Sequence, residues 1–170
     1  VHAVADRTYT IDSLKQAKAL VDKLLSELAD SFTTPNVLDL FSKCDDDVRK
    51  YVAHKKVEQP LHIIESNIDE CKSARKSNKS KGYEQGLKLY TSSTTHLAIL
   101  KSILGVHDLK YKVIADNLAK EVMQCGIDYF NELSESSDPS EKGLKLLKFA
   151  GHVATSAQTK DRIRDHIEGM

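Results

Sequence analysis

The chain has 170 residues, of which 40% are hydrophobic, and its 25 lysines and arginines match its 25 aspartates and glutamates. This length suits one domain with a real core, and the zero net charge argues against a dedicated nucleic-acid binder, which usually carries a basic excess. Uninterrupted apolar runs such as 97–100 are too short to span a membrane.

Apolar residues recur every three or four positions along most of the chain, and almost nothing alternates at every second position. The clearest stripe contains Ile114, Leu118, Val122, Cys125 and Tyr129. Such spacing gives each helix one apolar face to bury. Because the connections are short, sequential helices should be antiparallel neighbours. The sequence therefore predicts an all-α fold of six to seven antiparallel helices, in an irregular bundle or a short helical-repeat array.

The beginning of the chain differs from the rest in its patterning. Residues 1–10 lack apolar periodicity and predict an extended lead-in. The first helix covers about 11–30, and a turn follows at 31–34. Since no composition shift divides the remainder, we expect a single helical domain over 11–170. The chain starts with Val1 rather than methionine, which favours a domain of a larger protein.

Two prolines mark the predicted starts of the next helices. Thr34 and Pro35 suit an N-cap and a first helical residue, so a second helix should run to about His54. Pro60 begins a third helix for the same reason, since proline is tolerated in the first turn. The run 77–82 is rich in serine, asparagine and lysine and predicts a loop.

The second half of the chain has clear stop and start residues for helices. Gly105 is a C-cap candidate, Asp108 is an N-cap candidate, and the pair Asp138 and Pro139 opens another helix after an acidic loop at 134–138. The predicted helices are about 83–104, 109–133, 139 to between 154 and 158, and a short last helix anchored by Ile163 and Ile167.

Metal and cofactor motifs are absent from the sequence. Cys44, Cys71 and Cys125 form no Cys-x-x-Cys pair and lie in phase with apolar stripes, which predicts buried free thiols and a reducing compartment. No histidine has an acidic residue three positions before it, as a di-iron helical bundle requires. Gly-rich phosphate loops and nucleophile elbows are missing too. We therefore expect neither a metal nor a cofactor.

One short spacing points to catalysis. Arg49 and His54 follow an Arg-x4-His pattern, which resembles the ribonuclease motif of the HEPN families, themselves all-α bundles. The resemblance implies that Arg49 stabilises phosphate charge while His54 acts as acid or base. The alternative is a solvated helix face that flanks a buried Tyr51 and Val52.

A second resemblance covers about residues 119–155. The spacing of bulky, small and aromatic residues there is similar to one helical hairpin of the tetratricopeptide (TPR) family. The matching positions are Val122, Cys125, Gly126 and Tyr129 in the first helix, and Gly143, Leu147 and Ala150 in the second. The alternative is a generic hairpin in which Gly126 and Gly143 permit close approach of two helices.

Two groups of basic residues are candidate binding surfaces for an acidic partner. One is a run without intervening acids: Lys72, Arg75, Lys76, Lys79 and Lys81. The other follows one face of the sixth predicted helix: Lys142, Lys145, Lys148 and His152. The first group could meet phosphate, an acidic partner or a membrane surface, and the second could line a groove for an acidic peptide. The alternative, which is the more common one for such charges, is a solvated helix surface, and cations also complement a helix C-terminus.

These observations favour a non-catalytic helical protein-interaction or scaffold module, TPR-like at its C-terminal end, in a cytoplasmic protein. Its partner would be a protein or peptide, acidic if the lysine groups are used, while the oligomeric state stays open. The first alternative is a HEPN-like ribonuclease that uses Arg49 and His54. A purely structural spacer between other domains is the second.

Overall fold

A computed structural model describes residues 2–27, 39–133 and 138–170. These residues form six α-helices and no strand, which confirms the predicted all-α fold. The helices are α1 (His2–Glu27), α2 (Asp46–Ser77), α3 (Gly82–Leu104), α4 (Leu109–Leu133), α5 (Ser140–Val153) and α6 (Ala157–Glu168), with a short 3-10 helix (Lys79–Lys81) before α3. None of these helices combines the length and the apolar character that a membrane span requires.

The chain divides into two compact units, residues 1–59 and residues 60–170. This differs from the single domain that we predicted for 11–170. The boundary falls inside α2, between Gln59 and Pro60. Composition does not change at that point, so the sequence contained no signal for a division there.

The first helix begins earlier than the sequence indicated. α1 starts at His2, which differs from the extended lead-in predicted for residues 1–10. The segment contains no glycine or proline to interrupt a helix, and a helix can extend beyond its apolar stripe when its residues tolerate helical geometry. The turn predicted at 31–34 and the helix start predicted at Thr34 and Pro35 lie outside the described residues.

The bounds predicted for the second and third helices are wrong. Residues 41–44 form a turn, in which the Ser42 hydroxyl donates to the Asp39 carbonyl at 2.7 Å. Helix α2 then begins at Asp46, where acidic residues favour a helix N-terminus. It continues through Pro60 to Ser77 without a second start. Good helix formers precede Pro60, so the local sequence does not distinguish a proline that begins a helix from one inside a helix.

Unit 1 has a small apolar core. Val21 of α1, Phe41 and Val52 of α2 are buried in one cluster. Next to it, the Tyr51 hydroxyl donates to both carboxylate oxygens of Asp22, at 2.8 and 2.9 Å. This contact joins α1 to α2 at the edge of the cluster.

Unit 2 has a larger core centred on α4. Leu118 and Val122 are fully buried, as the helical stripe predicted. On α5, Leu146 and Leu147 are fully buried, whereas Leu144 is half-buried. The core therefore lies against the side of α5 that carries Leu146 and Leu147.

The helix ends of unit 2 follow the predicted capping chemistry. The Asp108 carboxylate accepts the backbone N–H of Lys110 at 2.7 Å, which confirms it as the start of α4. Gly105 has a positive φ of 81° just after α3, a conformation that suits glycine at a helix end. The Asp138 carboxylate likewise accepts the N–H of Ser140 at 3.0 Å at the start of α5.

Candidate functional site

Helices α3, α4 and α5 approach one another closely at glycines. A Cβ atom at Gly86 of α3 would lie 2.8 Å from both Cys125 Cβ and Leu146 Cδ1. A Cβ at Gly126 of α4 would lie 3.1 Å from the carbonyl oxygen of Gly143 on α5. Side chains at these positions would therefore push the helices apart. The close approach expected at Gly126 and Gly143 is confirmed, and it fits a generic hairpin as well as a TPR-type one.

Aromatic side chains line the seams between these helices. The rings of Tyr90 on α3 and Phe149 on α5 are stacked, with centroids 4.4 Å apart and planes 7° from parallel. The rings of Tyr83 and Tyr129 lie 5.9 Å apart in a tilted arrangement. All four side chains are half-buried, so each ring is held by its neighbour while part of it reaches the surface.

The lysines predicted on one face of α5 lie beside these rings. Lys142, Lys145 and Lys148 are exposed, as is His152. The Lys142 ammonium lies 5.4 Å from the centroid of Tyr83, and that of Lys145 lies 5.9 Å from the centroid of Phe149. Both distances are within the range of a cation–π interaction.

We refer to part of this region as the aromatic–lysine surface. It comprises Tyr83, Tyr90, Phe149, Lys142 and Lys145. Lys148 and His152 continue the basic face of α5 beyond it. In the described part of the chain, no carboxylate lies within 4.0 Å of the three lysine ammonium groups, so their charge is not neutralised by an ion pair there.

The other predicted basic group is divided by the fold. Lys76, Lys79 and Lys81 are exposed, and Lys72 forms an exposed ion pair with Asp69 at 3.3 Å. Arg75 does not belong to that surface, which corrects its assignment to an anion-binding patch. Its side chain is only 13% exposed because it turns toward α4.

Arg75 is held there by two carboxylates. Its Nε donates to Glu121 Oε1 at 2.8 Å, and its Nη1 donates to Asp128 Oδ2 at 2.5 Å. Gln124 Nε2 donates to the other Asp128 oxygen at 2.9 Å. Burial disfavours the charge on Arg75, but the hydrogen bonds to Glu121 and Asp128 outweigh that effect and raise the Arg75 pKa. This network joins α2 to α4 and pairs the Arg75 charge within the fold.

The structure does not bring the two residues of the Arg-x4-His spacing into one site. Arg49 pairs with Asp46, one turn before it on α2. The His54 imidazole lies 3.4 Å from Glu58, one turn after it. Both side chains are exposed, and their partners lie in opposite directions along the helix. The ribonuclease hypothesis gains no support from this geometry and stays a prediction.

The cysteines differ in their surroundings. Cys71 and Cys125 are buried, as predicted, but Cys44 is only half-buried. It is the last residue of the turn at 41–44 and lies outside any helix, so it has no helical stripe to follow. The sulfur atoms of Cys71 on α2 and Cys125 on α4 are 3.3 Å apart and hydrogen-bonded.

The environment of the two buried thiols is asymmetric. The hydrogen bond with Cys125 lowers the pKa of Cys71, against the effect of burial. The same hydrogen bond and burial raise the pKa of Cys125. A carboxylate oxygen of Glu121 completes a buried cluster whose three potential ligand atoms lie within 4.8 Å of one another. Arg75 already occupies that carboxylate and places a positive charge beside it, which disfavours a metal cation.

Sequence reasoning missed the aromatic pairs, the thiol pair and the Arg75 network. A signal for the network was present, since Glu121, Cys125 and Asp128 are spaced four and three residues apart on one helix face. Acidic residues in phase with an apolar stripe indicate a buried partner of opposite charge. The spacing does not reveal which basic residue that partner is.

Comparison of the chain with protein-family models, with curated proteins and with solved structures finds no match.

Proposed function

We propose that the chain is a non-catalytic helical interaction module that binds an acidic segment of a partner protein. The aromatic–lysine surface of unit 2 is the binding face. The observation that carries the proposal is the position of Lys142 and Lys145 beside the half-buried rings of Tyr83 and Phe149. The lysines and the rings together place cationic groups next to apolar surface.

The positive charges of this face attract an acidic partner but contribute little to the affinity of the complex. Lys142, Lys145 and Lys148 are exposed and have no carboxylate partner among the described residues. A single exposed lysine contributes little affinity, but a row of lysines speeds the encounter with an acidic partner. This attraction weakens as salt screens the charges. Binding should therefore depend on ionic strength.

The aromatic rings supply the part of the affinity that salt does not screen. Aromatic side chains are enriched in interface centres because they bury a large area with little loss of conformational freedom. Stacking at 4.4 Å already fixes Tyr90 and Phe149 before a partner arrives. An apolar residue between acidic ones in the partner would fit this combination.

The TPR-like hairpin over about 119–155 and a cytoplasmic setting belong to the same proposal. TPR-type proteins form binding surfaces from packed helical hairpins, and the close approach of Gly126 and Gly143 is compatible with such a hairpin as well as with a generic one. A structural spacer is the competing function, since it would need no binding face at all.

A titration followed by NMR tests the proposal. The ¹⁵N-labelled chain is titrated with a short synthetic peptide whose glutamates flank a central phenylalanine. We expect chemical-shift changes at α3 and α5 that shrink with added salt. The double variant K142E/K145E should lose them, with its melting temperature nearly unchanged because both side chains are exposed.

A matched control separates surface from net charge. Lys110 and Lys160 are also exposed lysines of unit 2, and the cation–π contacts of the described residues involve other lysines. The variant K110E/K160E changes the charge by the same amount and should retain the peptide-induced shifts. Equal loss in both variants, or no shift at α3 and α5 in the original chain, would favour the spacer.

A further inference from the structure

A cavity in unit 2 opens beside one of the two buried cysteines. It lies between α2 and α3 and has a volume of about 260 Å³. Cys71, Gln85 and Lys88 are among its lining residues. The cavity is large enough for a small polar molecule.

Cys71 therefore contacts both the cavity and a second thiol. Its side chain lines the cavity, and its sulfur lies 3.3 Å from the sulfur of Cys125. Cys125 itself is fully buried and is not among the residues that line the cavity. A reagent in the cavity can therefore reach Cys71 before it reaches Cys125.

We propose that Cys71 and Cys125 are a peroxide-reactive thiol pair, with Cys71 as the attacking residue and Cys125 as the resolving residue. The Cys71 thiolate attacks one oxygen of hydrogen peroxide. The O–O bond breaks, Cys71 becomes a sulfenic acid, and the departing hydroxide takes up a proton to leave as water.

The second step forms a disulfide. The Cys125 sulfur attacks the Cys71 sulfur, the S–O bond breaks, and hydroxide leaves as water with the proton from the Cys125 thiol. In total two thiols and one peroxide give one disulfide and two waters. The sulfurs must approach from 3.3 Å to about 2.05 Å.

The surroundings of Cys71 distinguish this chemistry from metal binding. The charges near Cys71 are mixed, since Lys88 and Glu70 both line the cavity and Arg75, one turn after Cys71 on α2, is paired with two carboxylates. The hydrogen bond with Cys125 stabilises a Cys71 thiolate. Glu121, the third potential metal ligand, is already bound by Arg75, which disfavours a divalent cation.

Mapping of the oxidised thiols tests the proposal on the unaltered chain. The reduced protein is treated with hydrogen peroxide, and free thiols are counted with a chromogenic disulfide reagent. We expect two of the three thiols to be lost, and a digest analysed by mass spectrometry to contain Cys71 joined to Cys125. Dithiothreitol should restore both. Linkage through Cys44, or no loss of thiols, would overturn the proposal.

Two variants assign the roles within the pair. In C125S the sulfenic acid at Cys71 has no resolving partner and should be trapped by dimedone. The variant C44S is the matched control and should still lose two thiols. If C125S does not fold, as judged by circular dichroism, C125A replaces it. Absence of a dimedone adduct at Cys71 in a folded variant would contradict the assignment.

Zinc titration separates the thiol pair from a metal site. The reduced chain and the variant C71S are titrated with zinc in competition with a chromogenic chelator. We expect no stoichiometric binding that depends on Cys71. Such binding would identify Cys71, Glu121 and Cys125 as metal ligands and would overturn the proposal.

Discussion

Arg75 and Glu121 form an ion pair in the interior of unit 2, with 2.8 Å between Nε and Oε1 and side chains only 13% and 6% exposed. A second carboxylate, that of Asp128, contacts the same guanidinium. A buried pair is not in itself a large gain in stability, because both charges must leave water. Removing one partner is costly, however, since it leaves the others charged and unpaired.

The variant R75M should therefore destabilise unit 2 by about 3–5 kcal/mol. Methionine retains most of the apolar volume but leaves Glu121 and Asp128 without their cation. Urea denaturation followed by circular dichroism gives the free energy of unfolding. The control R164M removes an exposed pair with Asp161 and should change that free energy by about 1 kcal/mol or less. Similar values for both variants would contradict a buried network.

Asp116 predicts a pH dependence of stability. Its carboxylate accepts the backbone N–H groups of Thr155 at 2.7 Å and of Ser156 at 3.1 Å, which ties α4 to the connection between α5 and α6. Burial opposes ionisation, but the hydrogen bonds from Ser156 and Thr155 outweigh it and lower the Asp116 pKa.

A lowered pKa in the folded state means that the carboxylate stabilises the fold above its unfolded pKa of about 3.9. That contribution is lost as the pH falls from there through the folded pKa. We expect D116N to cost about 1–3 kcal/mol at neutral pH and the difference from the original chain to shrink below about pH 4. Urea denaturation over a pH series measures it. A difference that stays constant with pH would contradict this role.

Leu118 is the clearest core position of α4, with no exposed surface. Truncation to alanine should cost about 2–5 kcal/mol, because it removes apolar contacts and leaves a cavity. Leu109, on the same helix but 73% exposed, is the matched control. L109A should change the free energy of unfolding by less than about 0.5 kcal/mol. Thermal and urea denaturation of both variants give the comparison.

The helices were predictable from local chemistry wherever a cap residue or a clear stripe marked them. Asp108 and Gly105 delimit α4 and α3 through groups on the backbone next to them, so a few residues of sequence suffice. The neighbours of Pro60 in the sequence do not show whether a helix begins there. The missing N–H of Pro60 suits a first turn and removes a hydrogen bond in a helix interior, so its place inside α2 does not follow from its local chemistry.

The candidate site was predictable only in part. The spacing of Lys142, Lys145 and Lys148 placed all three on the outside of α5. The rings beside them belong to α3 and to α5 itself, and the position of the α3 rings depends on how the helices pack. The same limit applies to Cys71 and Cys125, which are 54 residues apart in the chain. Helical periodicity gives the face of each residue but not the helix that covers that face.

Two glycines of unit 2 should respond in opposite directions to the same substitution. In a helix interior alanine is favoured over glycine by about 0.5–1 kcal/mol. At Gly151 of α5 the nearest atom to an added Cβ is Ile163 Cγ2 at 3.9 Å, an ordinary contact. G151A should therefore raise the free energy of unfolding by up to that amount.

At Gly86 the added methyl group would lie 2.8 Å from Cys125 Cβ, an atom fixed to the backbone of α4. The helices would have to separate, at a cost of about 1–3 kcal/mol that exceeds the gain in helix propensity. G86A should therefore lower the free energy of unfolding, and urea denaturation of the two variants tests the contrast. If G86A were as stabilising as G151A, α3 and α4 would not be in contact at Gly86, and the face that carries Tyr83 and Tyr90 would not be held against α4 and α5.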